Sequence, residues 1–164
     1  TWDAGLIALA VLPGAITCAL WWSYFDEAKA HLDHALEASD QHARPELARD
    51  VYSLLHFPML LGVVGYAAVV EEVIAHPDEP LALAARLALG LSAVLFLGGM
   101  TLAMLRASGR LMGWRVLVAA LTAFVIALWA EVTPVVSLAL LLIGLLVILV
   151  REQGAPTFSS HTTK

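Results

Sequence analysis

The sequence predicts an all-α fold: a polytopic bundle of about five transmembrane helices, amino end outside and carboxyl end in the cytoplasm. Three observations carry this. First, the 164 residues are 60% hydrophobic and 14% charged, with mean hydropathy +0.83. A soluble domain carries about 45–50% apolar and about 25% charged residues, and so short a chain cannot hide the excess in a core. Second, the apolar residues fall into five continuous runs without the period of two that barrel strands show. Backbone groups cannot stay unpaired in lipid, so these runs become helices. Third, the basic residues gather on alternate connectors.

A helix needs about 17–25 apolar residues to cross a bilayer. The first run, 4–25, holds Pro13-Gly14 near its middle. A connector follows at 26–50, with seven acids, three bases and three histidines; it reads as a solvated acidic segment that Pro45 interrupts. The second run, 51–70, meets Pro58 early, and the third covers 81–105. The fourth, 114–130, is short enough to raise a re-entrant alternative, and the fifth covers 132–150. Residues 1–153 thus form one transmembrane bundle, and 154–164 a polar cytoplasmic tail.

Sidedness follows from the bases. If all five runs cross, Lys29, Arg44, Arg49, Arg106, Arg110, Arg115, Arg151 and Lys164 share one side, and only Arg86 lies near the other. The positive-inside rule makes the richer side cytoplasmic. A re-entrant fourth run would spoil that split, so five spans are preferred. Trp21, Trp22, Tyr24, Phe25, Tyr52 and Trp114 would mark the inner interface, and Trp2, Tyr66 and Trp129 the outer one. Small residues give helix faces on which backbones can approach closely: Gly62, Gly65 and Ala68; Gly99 and Ala103; Ala119, Ala123 and Ala127.

Ionisable residues at membrane depth are the candidates for function. His56 lies one turn beyond Tyr52, on the same face of an ideal helix, and Pro58 weakens the ladder beside it. Tyr24 and Asp26 end the preceding run at similar depth. The set Tyr24, Asp26, Tyr52 and His56 could relay protons, hold a polar ligand, or simply lock two helices together. Trp22 and Gly62 support it, and Pro58, Gly62 and Pro13-Gly14 would permit bending. Arg86 lies six residues into the third run; a base at depth costs about 2.5–3.5 kcal/mol on insertion scales. It is expected to pair with Glu71 or Glu72, or to recognise an anionic substrate. Glu27, His31 and His34 share a helix face that could suit a transition metal, but no HExxH and no cysteine pair accompany them, so no metal site is assigned.

Several classes are excluded or disfavoured. Nine Lys and Arg against fourteen Asp and Glu argue against a nucleic-acid partner. The single cysteine, Cys18, makes no intrachain disulfide. There is no phosphate-binding GxxxxGK[ST], no GxSxG elbow and no GxGxxG. The reading is a small-molecule or proton-coupled transporter or ligand-binding membrane unit, with no cofactor identified. A membrane enzyme acting on a lipid-like substrate and a structural or interaction protein are the alternatives. The lipid bilayer is the expected partner, and a homo-oligomer is left open.

The run Trp21-Trp22-Ser23-Tyr24-Phe25-Asp26, then Arg49-Asp50-Val51-Tyr52-Ser53-Leu54-Leu55-His56-Phe57-Pro58 and Gly62, resembles the low temperature requirement A (LtrA) family of bacterial membrane proteins. His76-Pro77, Arg86, Gly98 and Arg106 fit the same pattern. The resemblance implies a bacterial cytoplasmic membrane location and a need during growth in the cold. It implies that Trp22, Tyr24, Asp26, Tyr52, His56 and Gly62 are family positions. It also implies that this is the carboxyl-terminal half of a typical member, whose amino-terminal half would be a partner. The absence of a signal-like start before an outside amino end agrees with that expectation.

Overall fold

The computed structural model describes residues 4–25, 29–38, 40, 42, 44–109, 111–129, 131 and 133–153. They form seven α-helices and a π-turn: α1 (Ala4–Ser23), α2 (Lys29–Ala38), α3 (Arg44–Arg49), the π-turn (Asp50–Leu54), α4 (His56–Ala75), α5 (Leu83–Ser108), α6 (Gly113–Leu128) and α7 (Pro134–Gln153). No strand occurs among the described residues. Three helical stretches are long and apolar enough to cross a membrane: Arg44–Ala75, Leu83–Ser108 and Pro134–Glu152. Two shorter apolar helices, Ile7–Ser23 and Gly113–Leu128, belong to the same bundle.

The connector differs in part from expectation. It breaks between α2 and α3, just ahead of Pro45, which sits in the first turn of α3, where its missing N–H has no intrahelical partner to lose. Arg44–Ala75 is therefore one rod, which begins seven residues earlier than the apolar pattern suggests. In addition, α2 is not fully solvated. Its Leu32 is buried, Leu36 packs against the core, and the helix lies on α5. These two leucines, one turn apart, form a short apolar stripe inside an otherwise polar segment.

α5 is the central helix. It packs between α4 and α6, α7 lies beside α6, and α1 leans on α7 while touching α4 only lightly. α6 has 16 residues, about 24 Å of rise, and reaches from one end of the bundle to the other. At one end Arg115 bonds Glu152 from the close of α7. At the opposite end Arg86, in the first turn of α5, donates to the Ala127 carbonyl at the close of α6. The outward faces stay apolar: Leu60 and Val64 of α4, Leu121 and Phe124 of α6, and Val147 and Val150 of α7 are all exposed. Such a surface is stable against lipid and not against water.

Lipid supplies no hydrophobic drive between helices, so association rests on close packing. Gly62 makes the tightest approach to a neighbouring backbone. A Cβ there would lie 2.6 Å from the Ser92 carbonyl oxygen and 3.0 Å from the Phe96 nitrogen, both backbone atoms. Between α5 and α6, a Cβ on Gly90 would meet the Ala123 Cβ at 2.7 Å. Ala119 is buried, so the alanine stripe of α6 is a packing seam. Two interior hydroxyls of α5 bond back to their own helix, Ser92 to the Ala88 carbonyl at 2.6 Å and Thr101 to the Leu97 carbonyl at 2.8 Å. Tyr66 is no interface marker: it is buried, and its hydroxyl donates to the Pro13 carbonyl of α1 at 3.0 Å.

Gly62→Ala should destabilise the bundle by about 1–3 kcal/mol, because backbone cannot yield as a side chain can. Gly98→Ala, where an added Cβ meets nothing within 4 Å, should be neutral or stabilising by up to about 1 kcal/mol. Unfolding of both variants in the same detergent measures the contrast.

Candidate functional site

The site is built around the start of α4. Pro58 has no N–H to give the Leu54 carbonyl, and its ring crowds that carbonyl. Directly upstream the ladder widens: the Leu55 N–H donates to the Asp50 carbonyl, five residues back, at 2.9 Å. Single π-turns of this kind mark a helix that departs from regular geometry for a local reason. The consequence is a change of register. Tyr52 and His56, one turn apart on an ideal helix, make different direct contacts, although Tyr24 lies near both. The Tyr52 hydroxyl donates to Asp33 Oδ1 of α2 at 2.7 Å. The His56 ring stands edge-on to Tyr24, just beyond α1, with centroids 5.6 Å apart at 75°.

Tyr24 continues into an aromatic chain. Its ring meets Phe25 at 5.0 Å and 82°, and Phe25 meets Trp21 at 4.9 Å. Trp22 contacts Trp21 at 6.5 Å and is exposed. Asp26 and Glu27, and the side chain of His31, lie outside the described residues. Among the described residues no three His, Cys, Asp or Glu side chains gather as a metal site.

Next to Tyr52, Asp50 joins two helices. Arg49 Nε and Nη2 reach its Oδ1 at 3.3 and 3.0 Å. Arg106 of α5 reaches Oδ2 with Nε at 3.1 Å and Nη2 at 3.0 Å. The same end of the bundle carries the Arg115–Glu152 pair, with Arg115 fully buried, and Arg151 stacked 5.3 Å over the Trp114 ring. Asp33, Asp50 and Arg106 were not among the expected site residues. For Asp33 the signal was the Leu32–Leu36 stripe, which seats α2 on the bundle. For Asp50 and Arg106 nothing in the spacing couples residues 56 positions apart.

The remaining supporting residues have other roles. Arg86 does not pair with Glu71 or Glu72. Its Nη1 donates to the Ala127 carbonyl at 2.9 Å, because tight α5–α6 packing brings the electronegative end of α6 to it. Glu71 is exposed, and Glu72 lies 3.6 Å from His76 on its own helix. Gly62 acts as a contact surface for α5.

The cluster therefore unites Tyr24, Asp33, Tyr52 and His56 from three parts of the chain at one end of the bundle. Phenol, carboxylate and imidazole groups together can accept, donate and hold protons, or bond a polar solute. Tyr52→Phe removes the hydroxyl that ties α2 to the rod. Amide hydrogen exchange should quicken in α2 by about five- to tenfold, the loss of one hydrogen bond of about 1 kcal/mol, while α5 and α6 are unchanged.

No curated protein and no solved structure matches the chain. The family model described as bacterial low temperature requirement A protein (LtrA) matches residues 1–150. With that match over nearly its whole length, and a helical bundle with membrane-spanning stretches, the chain belongs to the bacterial low temperature requirement A family of integral membrane proteins.

Proposed function

We propose that the chain is the membrane unit of a small-molecule or proton-coupled transporter or ligand carrier. It crosses the bacterial cytoplasmic membrane several times, with the end that bears Arg49, Arg106, Arg115 and Arg151 facing the cytoplasm, and it supports growth at low temperature. The observation that carries this reading is the edge-on contact of His56 with Tyr24 across the α1–α4 seam, beside Tyr52 bonded to Asp33. That seam is thinly packed, since α1 leans on α7 instead. A seam of this kind separates at lower cost than the glycine-lined α4–α5 interface, and its polar groups lie where a solute or proton would enter. Asp26, outside the described residues, stays in the proposed set as the carboxylate that the sequence offers at the end of the first apolar run. The π-turn just before His56 gives α4 a place to adjust.

A bracing role for the same side chains is the second reading, favoured by the Tyr52–Asp33 bond. One variant separates the two. In a host lacking the natural gene, His56→Ala should insert normally and keep its melting temperature, yet fail to restore growth in the cold. Full restoration would remove His56 from the mechanism. Loss of growth together with a clear fall in melting temperature would assign the cluster to bracing.

A further inference from the structure

The arrangement of Arg49, Asp50 and Arg106 is more than a link between two helices. Each arginine presents its Nε and Nη2 edge, and both edges converge on one carboxylate, Arg49 on Oδ1 and Arg106 on Oδ2. Two guanidinium forks on two oxygens of one anion is the geometry in which arginines hold a phosphate. The guanidinium side chains remain open, 65% exposed for Arg49 and 48% for Arg106, whereas Asp50 is 20% exposed. The carboxylate is thus the inner member of the trio and the two cations face outward. A second anion can approach them from outside without displacing any helix.

The surroundings decide which anion. Leu54 ends the π-turn, and Leu102 and Leu105 lie within one turn of Arg106; all three are exposed. Exposed leucines beside a pair of exposed guanidiniums, near the ends of two stretches long and apolar enough to cross a membrane, match the layout of a phospholipid: acyl chains against the leucines, phosphate against the arginines. Free phosphate would use the cations and have no need of the leucines.

We propose that Arg49 and Arg106 form a headgroup site for an anionic phospholipid, with Asp50 as an internal competitor that orients both guanidiniums and limits how tightly the phosphodiester is held. The site is independent of the transport reading, because it uses neither His56 nor Tyr24. It gives the arginines a purpose beyond the general excess of positive charge at that end of the bundle. That excess would attract anionic lipid diffusely, whereas this site binds through one pair of side chains.

The test is native mass spectrometry of the detergent-solubilised chain titrated with phosphatidylglycerol or with phosphatidylcholine of the same acyl chains. The wild type should retain phosphatidylglycerol at about tenfold lower concentration, the effect of one or two charge-assisted bonds. Arg49→Gln with Arg106→Gln should erase that preference. Arg151→Gln, which removes an exposed charge at the same end, should leave it intact. Asp50→Asn should strengthen it, and this variant keeps the proposal testable if the double variant fails to fold. Three results would overturn the site. One is an equal loss of preference in Arg151→Gln, which would mean diffuse attraction. Another is weaker phosphatidylglycerol retention in folded Asp50→Asn. The last is full displacement of the lipid by an equal concentration of inorganic phosphate, which would mean a site for the free anion.

Discussion

Contact between the α4 and α5 backbones at Gly62 is the constraint on which the rest of the bundle depends. With an added Cβ only 2.6 Å from the Ser92 carbonyl oxygen, no other residue fits there unless the helices part. Close approach brings many weak dispersion contacts into range at once, and in lipid these take the place of the hydrophobic drive available in water. The two helices leave each other little freedom of rotation or register. The π-turn is consequently held at a set height against α5, so that Asp50 meets Arg106 and Tyr52 points toward α2. A looser α4–α5 seam would dissolve both polar groupings without altering a single polar residue.

Charge is handled differently at the two ends of α6. At its close the helix dipole is negative, and Arg86 supplies a cationic donor to a carbonyl of the last turn, where intrahelical donors run out. At its start the dipole is positive, so Arg115 is placed against the electrostatic preference and relies on Glu152 of α7. The first arrangement joins α5 to α6, and the second joins α6 to α7. A buried pair of this kind is costly to break because removing one partner strands the other charge, a loss of about 3–5 kcal/mol. The shortest apolar helix in the bundle is thereby fixed at both ends by arginines, which holds it at full length between the two boundaries.

The polar cluster shows how a local defect becomes a site. Pro58 disturbs the start of α4, the ladder opens by one residue, and two side chains a turn apart make different direct contacts. Tyr52 then recruits α2 through Asp33, and His56 meets Tyr24 beside α1. Because α1 rests on α7 more than on α4, His56 and Tyr24 bridge a seam that apolar packing does not seal. Polar groups at such a seam experience a low dielectric on one side and the membrane boundary on the other, conditions that strengthen each hydrogen bond they make.

The five apolar runs, their helical character and the gathering of bases at one end were readable from the residues alone, since each follows from local composition and from the rule that backbone in lipid must bond to itself. So were Tyr24, Tyr52 and His56 as polar groups at similar depth, and Gly62, Gly65 and the alanine stripe as thin faces. Pairing was not readable. That Arg86 would cap α6 and not meet Glu71, that Asp50 would gather Arg49 and Arg106, and that α1 would lean on α7 all depend on which helices lie side by side. Apolar faces of similar composition leave that choice open, and it is made by the fit of particular glycines to particular backbones, a property of the assembled bundle that no stretch of sequence carries by itself.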